Sequence, residues 1–361
     1  MNPILVDVMR GNALESAHRG AIAVLDADGA VLAAVGDILR PIFPRSAVKV
    51  LQALPLVDSG AADQLGLTDE ELAIACASHN GEGVHAQVAL RMLEKAGLDA
   101  TALECGIHWP YLEEASRALA AQGREPSELS NNCSGKHAGF LCLACALSAG
   151  VNVRQYAHGY VALEHPVMRA VTAALQAATS YDLKTAPRGT DGCSIPTFAI
   201  PLHNLALAFA RVGTGAGLRT GHARAARRLR QAAAKFPFMV AGTGRFDTRV
   251  MQRLGERVFC KVGAEGVYCA ALPERGLGVA IKIDDGNNAR AAEVVMAAAI
   301  EALVSLSDEE AIFMRGFSDR PLSNWNGIEV GALRATRALR DALAPITSPL
   351  PVNRDATLRS G

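Results

Sequence analysis

The sequence predicts an α+β fold, in which strands from both ends of the chain form one antiparallel sheet and a helical lobe is inserted between them. Short β-type runs divided by glycine-containing turns occur near the start, at residues 21–25 and 30–35, and near the end, at 257–262, 267–272 and 278–283. The long stretch between these clusters has helical periodicity. With 361 residues, half of them hydrophobic, the chain can bury a large core.

The strands are predicted from their turns as well as from their composition. Asp26-Ala27-Asp28-Gly29 separates the first two runs and is a hairpin signature. Near the other end, a helix at 289–306 is predicted to cover the sheet, and a further strand follows it at 328–333. We therefore expect the terminal strands to pair with one another.

The helices are predicted from capping residues and apolar spacing. Thr68 and Glu71 are spaced as a capping box ahead of a helix through 72–77, and Gly97 is placed to end a helix at 83–96. Further helical patterns cover 112–121, 137–149, 166–179, 197–210 and 222–235.

These elements predict a single catalytic unit over 1–361. Its sheet lobe comprises about 1–45 plus 245–344, and its helical lobe about 46–244. The tail, 345–361, contains proline and is predicted to be extended.

Composition excludes several classes of function. The chain has 36 basic and 36 acidic residues and only 5% aromatic residues, which disfavours a nucleic-acid-binding surface. The most apolar helical stretch, 138–149, is shorter than the ~20 residues that span a bilayer. The first ten residues lack the apolar run of a signal peptide, and eight irregularly spaced cysteines favour thiols over disulfides. We expect a cytoplasmic protein that binds neither nucleic acid nor membrane.

The lysines are the most informative charged residues. The chain has 29 arginines and only seven lysines, and three of these (Lys49, Lys136 and Lys261) lie beside serine, cysteine or glycine in uncharged segments. Arginine cannot lose its proton at accessible pH, whereas a desolvated lysine can become a neutral base or ligand. Three such lysines make chemistry a competitive interpretation beside chance retention.

Ser46-Ala47-Val48-Lys49 is a candidate nucleophile and base. Residues three apart share a face of a helix, so the Lys49 amine can reach the Ser46 hydroxyl and take its proton as the oxygen attacks a carbonyl. The same spacing also fits an ordinary first helical turn, so the motif needs support from elsewhere in the chain.

Two further motifs supply that support. Ser78-His79-Asn80 follows a predicted helix, and Lys261-Val262-Gly263 ends a predicted strand. The ordered set Ser-x-x-Lys, Ser-x-Asn, Lys-x-Gly resembles the three motifs of penicillin-binding proteins and serine β-lactamases. In that architecture, too, terminal strands form one sheet and a helical lobe is inserted, so the resemblance implies a β-lactamase-like fold.

A closer resemblance is carried by four segments. They are Pro44-Arg45-Ser46, Ser78-His79-Asn80-Gly81-Glu82, Asn131-Asn132-Cys133-Ser134-Gly135-Lys136-His137 and Gly189-Thr190-Asp191-Gly192-Cys193. Together they resemble the rhizobial-type, or class 3, L-asparaginases, and the two cysteine segments are the specific part. The resemblance implies two serine–lysine couples, Ser46 with Lys49 and Ser78 with Lys261. It also implies a homodimer and a zinc ion held by Cys133, Lys136 and Cys193.

The residues alone leave the metal open. Two distant cysteines are acceptable zinc ligands, but a lysine binds only when neutral, and His137 is the more ordinary ligand type. A buried pair of thiols beside a structural lysine is the alternative. With the resemblance, zinc is the favoured interpretation, ordering the substrate site rather than activating water.

The predicted reaction is hydrolysis of L-asparagine to L-aspartate and ammonia through an acyl-enzyme. Asparagine carries an α-ammonium and an α-carboxylate, for which Asp191 and Arg45 are the candidates, with Asn80 as a further substrate-binding residue. The alternatives are a glutaminase or β-lactam-type hydrolase on the same scaffold, and a non-catalytic module that binds zinc or an amino acid.

Overall fold

The computed structural model describes residues 1–347 of the chain. Within them, eight strands form one sheet in the order β11-β12-β1-β2-β10-β9-β8, with β3 also paired to β2, and every pairing is antiparallel. The strands of this sheet are β1 (Ile4–Arg10), β2 (Ala13–Asp26), β3 (Val31–Val35), β8 (Phe259–Val262), β9 (Val267–Leu272), β10 (Leu277–Ile283), β11 (Asp319–Ser323) and β12 (Glu329–Ala335). The predicted α+β arrangement, with a sheet built from both ends of the chain, is confirmed.

Helices and two short strand pairs occupy the rest of the described chain. The strand pairs are β4 (Pro41–Ile42) with β7 (Ile200–Pro201) and β5 (Arg188–Thr190) with β6 (Pro196–Phe198). The α-helices are α1 (Lys49–Gln52), α2 (Leu54–Asp58), α3 (Ala61–Gln64), α4 (Asp69–Ala75), α5 (Gly83–Lys95), α6 (Glu113–Ala121), α7 (Ser134–Leu147), α8 (Val153–Ala157), α9 (Pro166–Thr179), α10 (Leu202–Thr214), α11 (Thr220–Lys235), α12 (Pro237–Ala241), α13 (Phe246–Leu254), α14 (Glu293–Leu303), α15 (Asp308–Ser318) and α16 (Arg337–Leu343). Shorter turns of 3-10 helix lie at Arg45–Val48, Ala100–Ala102, Glu128–Ser130, Gly255–Arg257, Pro273–Arg275 and Ala344–Thr347, and a π-helical turn at Asn288–Ala292.

Several local predictions agree with the structure. The hairpin turn at Asp26 joins β2 to β3, and Thr68 with Glu71 forms the capping box of α4. In the main sheet, strands β1 and β11 were not predicted; β11 contains charged residues and a proline and has no fully buried side chain. The four short strands β4 to β7 were not predicted either. The helix predicted at 197–210 begins only at Leu202, because Pro201 belongs to the extended pair with β4. Most of the tail predicted to be extended, residues 348–361, lies outside the described residues.

The core lies between the sheet and the helices packed on it. Helix α10 packs on β10 and β2, and α14 packs on β9, β1 and β12. A Cβ at Gly278 would lie 2.0 Å from the carbonyl oxygen of Ala206, so only glycine lets α10 approach β10 this closely. None of the helices in residues 1–347 is long and apolar enough to span a bilayer.

Candidate active site

The turn that carries Ser46 is held against the edge of the sheet. Residues Arg45–Val48 form a 3-10 helix, in which side chains three positions apart eclipse one another. Lys49 follows directly and starts α1. A Cβ at Gly263 would lie 2.6 Å from the carbonyl oxygen of Pro44, so the glycine of Lys-x-Gly lets β8 and the serine turn meet.

Lys49 reaches a second serine. Its side chain is buried, and Nζ donates to Ser78 Oγ at 2.8 Å, to the Ala77 carbonyl oxygen at 2.5 Å and to Cys133 Sγ at 3.1 Å. Within residues 1–347, Ser46 Oγ makes no hydrogen bond to the Lys49 amine. The structure therefore brings Lys49 and Ser78 into direct contact, whereas Ser46 is half-buried one turn away along the chain.

Ser78 is positioned by the backbone on both sides of it. It follows α4, and its N–H donates to the carbonyl oxygen of Val240, while the N–H of His79 donates to that of Asn132. These two contacts place Ser78 between the end of α12 and the chain before α7. Segments widely separated in sequence thus meet around the backbone of Ser78.

Lys261 lies on β8 and is fully buried. Its Nζ donates to the carbonyl oxygen of Val262 at 2.9 Å. Burial, reinforced by the nearby positive charge of Lys49, lowers the pKa of Lys261 to about 7, although Asp247 acts in the opposite direction. Burial likewise lowers the pKa of Lys49. Burial therefore makes both lysines easier to deprotonate than an exposed lysine.

The cysteine segments meet beside these lysines. Cys133 is the N-cap of α7, a helix buried along most of its length, and Lys136 Nζ donates to Cys193 Sγ at 2.9 Å. A hydrogen bond with Cys193 lowers the pKa of Cys133, helped by the Lys49 and Lys136 charges, and the same bond raises the pKa of Cys193. The two sulfurs thus share one negative charge, balanced by lysine.

The donors predicted to hold zinc are in mutual contact. Cys133 and Cys193 are hydrogen-bonded through their sulfurs, and the Lys136 amine lies on Cys193. In the part of the chain that the structure describes, no group of three or more His, Cys, Asp or Glu side chains is arranged to hold a metal ion. His137 donates or accepts at the Tyr160 hydroxyl, 2.6 Å away, and is buried among core side chains. The set is therefore two sulfurs, which are ordinary zinc ligands, and an amine whose pKa is raised by the charges of Cys193 and Cys133.

Arg45 and Asp191 form an ion pair. Arg45 Nε and Nη2 both approach Asp191 Oδ1, at 2.8 and 2.7 Å. Arg45, directly before Ser46, has φ +51°, a left-handed backbone conformation that residues other than glycine rarely adopt. Asp191 itself lies in a tight turn that closes on Ile195. The ion pair ties the serine turn to the Cys193 segment.

Both polar atoms of the Asn80 side-chain amide form hydrogen bonds. Nδ2 donates to the carbonyl oxygen of Thr243 at 3.0 Å, and Oδ1 accepts from Arg245 Nη1 at 3.0 Å. Glu82 accepts from the N–H and the hydroxyl of Thr243, which fixes the same loop. Asn80 therefore holds Arg245 at the border of the site.

Three residues near the site were not singled out in the sequence. Asp247 binds the strand that carries Lys261, Arg245 binds Asn80, and the Tyr111 N–H donates to the Asn80 carbonyl. Arginine is the ordinary surface charge of this chain, so Arg245 carries no local signal. Asp247 and Tyr111 become relevant only when their segments fold onto motifs far away in sequence.

The Ser78 hydroxyl contacts the buried Lys49 amine, and an adjacent base of this kind can activate a serine for attack on a carbonyl. The family described as L-asparaginase II matches residues 6–335. The chain belongs to this family and is an amidohydrolase. The asparaginase resemblance inferred from the motifs is confirmed.

Comparison with solved structures gives distant likenesses. The structure of Mglu is 17% identical, over 81% of this chain and 69% of that one, with a TM-score of 0.33. Mglu in its tris and glutamate form is 18% identical, over 81% and 61%, with a TM-score of 0.33. A β-lactamase from Mycobacterium bovis is 16% identical, over 74% and 88%, with a TM-score of 0.36. No curated protein is significantly similar in sequence.

Proposed function

We propose that this chain is an L-asparaginase that hydrolyses L-asparagine to L-aspartate and ammonia through an acyl-enzyme on Ser46. The observation that carries the proposal is the position of the buried Lys49 amine. It donates a hydrogen bond to Ser78 Oγ, and Lys49 follows Ser46 by one turn of the chain. A desolvated amine gives up its proton more readily than an exposed one. Lys49 can therefore act as the base that activates a serine.

The reaction divides into two steps. In the first, Lys49 takes the Ser46 proton as Oγ bonds to the side-chain amide carbon of asparagine. Backbone N–H groups, that of Ser46 and one beyond Lys261, stabilise the oxyanion. A proton passes through Ser78 to the nitrogen, the C–N bond breaks and ammonia leaves. In the second step, water attacks the Ser46 ester and releases aspartate.

The direct Lys49–Ser78 contact fits this proton path, because it links the base to the group that protonates ammonia. Lys261 is the partner proposed for Ser78. As a second buried amine of lowered pKa, it can return a proton between cycles. The same contact makes Ser78 the rival nucleophile, so the experiment must compare both serines.

The Arg45–Asp191 pair is proposed to bind the amino-acid end of the substrate. Among the described residues, no side chain donates to Asp191 Oδ2, which leaves this oxygen for an α-ammonium. Arg45 has further N–H groups for an α-carboxylate, since Nε and Nη2 both converge on one oxygen of Asp191. Asn80 is proposed to act by holding Arg245 nearby.

The test is ammonia release from asparagine by wild type, Ser46→Ala and Ser78→Ala, combined with rapid acid quench and peptide mass analysis. We expect Ser46→Ala to lose turnover and the aspartyl ester to map to Ser46. An ester on Ser78, or unchanged turnover in Ser46→Ala, contradicts Ser46 as nucleophile. Faster turnover of glutamine or of a chromogenic β-lactam indicates the alternative hydrolases. Amino-acid binding without turnover indicates a binding module.

We also propose that Cys133, Lys136 and Cys193 hold a zinc ion. The contact between the Lys136 amine and Cys193 supports it, and three protein donors leave a fourth position open. The nearby cysteines raise the pKa of Lys136, so the amine must give up a proton when it binds the metal. The bound ion would order the substrate pocket. Metal analysis of the purified protein should find zinc, lost in Cys193→Ser but kept in Cys142→Ser, a variant of a buried thiol on the Met92 carbonyl. Zinc retained in Cys193→Ser contradicts the ligand set.

A homodimer in the cytoplasm completes the proposal. The dimer is supported by the class 3 resemblance, and sedimentation velocity tests it: a monomer at micromolar concentration contradicts it. All eight cysteines lie within residues 1–347 and are free thiols, which fits a reducing compartment. Fractionation of expressing cells tests the location.

A further inference from the structure

Lys261 lies on an edge strand. In the described part of the chain β8 ends the sheet, pairing with β9 on one side only. Lys261 is opposite Cys269, and the next pair along is Val262 opposite Tyr268. An edge strand leaves backbone donors without a strand partner, and a buried donor must be satisfied in another way.

Asp247 satisfies that donor. It lies in the first turn of α13 and is 1% exposed. Its Oδ1 accepts from the Val262 N–H at 2.8 Å, and its Oδ2 accepts from the Tyr268 hydroxyl at 2.7 Å. One carboxylate therefore binds both members of the residue pair that adjoins the Lys261–Cys269 pair.

The same carboxylate sets the charge around the Lys261 amine. Among the described residues the two groups are not within ion-pair distance, so Asp247 attracts the ammonium form through the low-dielectric core rather than by contact. Burial and the Lys49 and Arg245 charges oppose it. The titratable or charged groups that interact electrostatically with Lys261 are Asp247, Arg245, Lys49, His79, Cys76, Cys133, Cys260 and Cys269.

We propose that Asp247 is the positioning residue for Lys261. Its buried carboxylate fixes the strand that carries the lysine and supplies the negative charge that favours the ammonium form of its amine. This inference rests on the role proposed for Lys261 in proton transfer. Without Asp247, the Val262 N–H would be buried without its acceptor and the amine would become a weaker base.

The experiment follows Lys261 directly. With only seven lysines in the chain, carbon-13 and nitrogen-15 labelling of lysine gives few resonances, and Lys261→Met identifies the one of interest. In Asp247→Asn we expect the Lys261 titration midpoint to move down by about one pH unit, since an opposite charge is removed. The acid limb of kcat/KM should move in the same direction, and kcat should fall about tenfold or more while KM changes little.

Matched variants separate this role from general damage. Asp63→Asn removes an exposed carboxylate paired with Arg228 and should leave both titration and rate unchanged. Tyr268→Phe removes the hydrogen-bond donor to one oxygen of the Asp247 carboxylate, which leaves more of its negative charge to act on Lys261, so the Lys261 titration midpoint should move up. This variant provides the test if Asp247→Asn does not fold. An unmoved or raised midpoint in Asp247→Asn, or a lowered one in Tyr268→Phe, overturns the inference. If wild type hydrolyses no amide, the proposed function fails, yet the titration still decides the role of Asp247.

Discussion

The Lys49 amine lies 2.8 Å from the Ser78 hydroxyl oxygen, although the two residues are 29 positions apart. Helix α4 and the turn after it bring Ser78 to the start of α1. Lys49 also touches Cys133, so the proposed catalytic and metal-binding groups form one buried cluster. A change at any member should therefore be felt by the others.

Replacing Lys49 by methionine should abolish turnover, because the base is lost while the buried volume is nearly kept. We expect ammonia release from asparagine to fall by at least about a hundredfold. Lys49→Arg should be equally inactive, since arginine does not give up its proton. Lys235→Met, at an exposed lysine paired with Asp69, is the control and should keep wild-type rates. Substantial activity in Lys49→Met contradicts the role as base.

The pH dependence of activity should report Lys261. The amine is neutral above its pKa of about 7, so kcat/KM should rise with pH through this value and the rise should vanish in Lys261→Met. Rates measured from pH 5.5 to 9 provide the check. If kcat/KM has the same pH profile through pH 7 in wild type and in Lys261→Met, Lys261 is excluded as the group that controls this rise.

Stability should depend on pH through the same lysine. In the unfolded chain Lys261 keeps its proton up to its ordinary pKa of 10.5, but in the folded protein only up to about 7. Unfolding therefore takes up a proton between these values, so this contribution to the free energy of unfolding rises with pH and is lost as pH falls through 7. Urea unfolding at pH 6 and pH 9 should show a larger difference for wild type than for Lys261→Met. Equal differences argue against a buried neutral lysine.

Breaking the Arg45–Asp191 pair should weaken substrate binding. In Asp191→Asn the charge that faces Arg45 and the proposed α-ammonium is lost, so KM for asparagine should rise about tenfold or more. The Arg45 turn also loses its anchor, so kcat should fall. Asp319→Asn breaks an exposed pair with Arg334 and should change neither constant. An unchanged KM in Asp191→Asn contradicts a role of the Arg45–Asp191 pair in substrate binding.

Gly263→Ala should destabilise the protein and displace Lys261 from the serine turn. The added methyl would lie 2.6 Å from the Pro44 carbonyl oxygen and 2.9 Å from Val267 Cβ. We expect a loss of about 1–3 kcal/mol in unfolding free energy, together with a lower kcat. Gly316→Ala, in α15 with no atom within 4 Å of the new methyl, should instead be neutral or stabilising. Calorimetry and ammonia release compare the two, and equal stabilities would falsify the close-approach argument.

Local signals in the sequence determined much of the framework. The turn at Asp26, the Thr68 capping box and the β-type runs near the C-terminus act over a few residues, so they predict elements without knowledge of their partners. The serine, lysine and cysteine motifs could be found in the same way, because a reactive residue type in an unusual local setting is visible along the chain.

The tertiary structure decided which of these residues meet. Strand β1 pairs with β12, and Lys49 lies on Ser78 rather than hydrogen-bonding with Ser46, since contacts of high sequence separation depend on how the sheet and helices pack. The same packing gave Asp247 its place beside Lys261. Its sequence neighbours describe only an ordinary helix start, and a buried charge acquires its role from the groups that surround it in space.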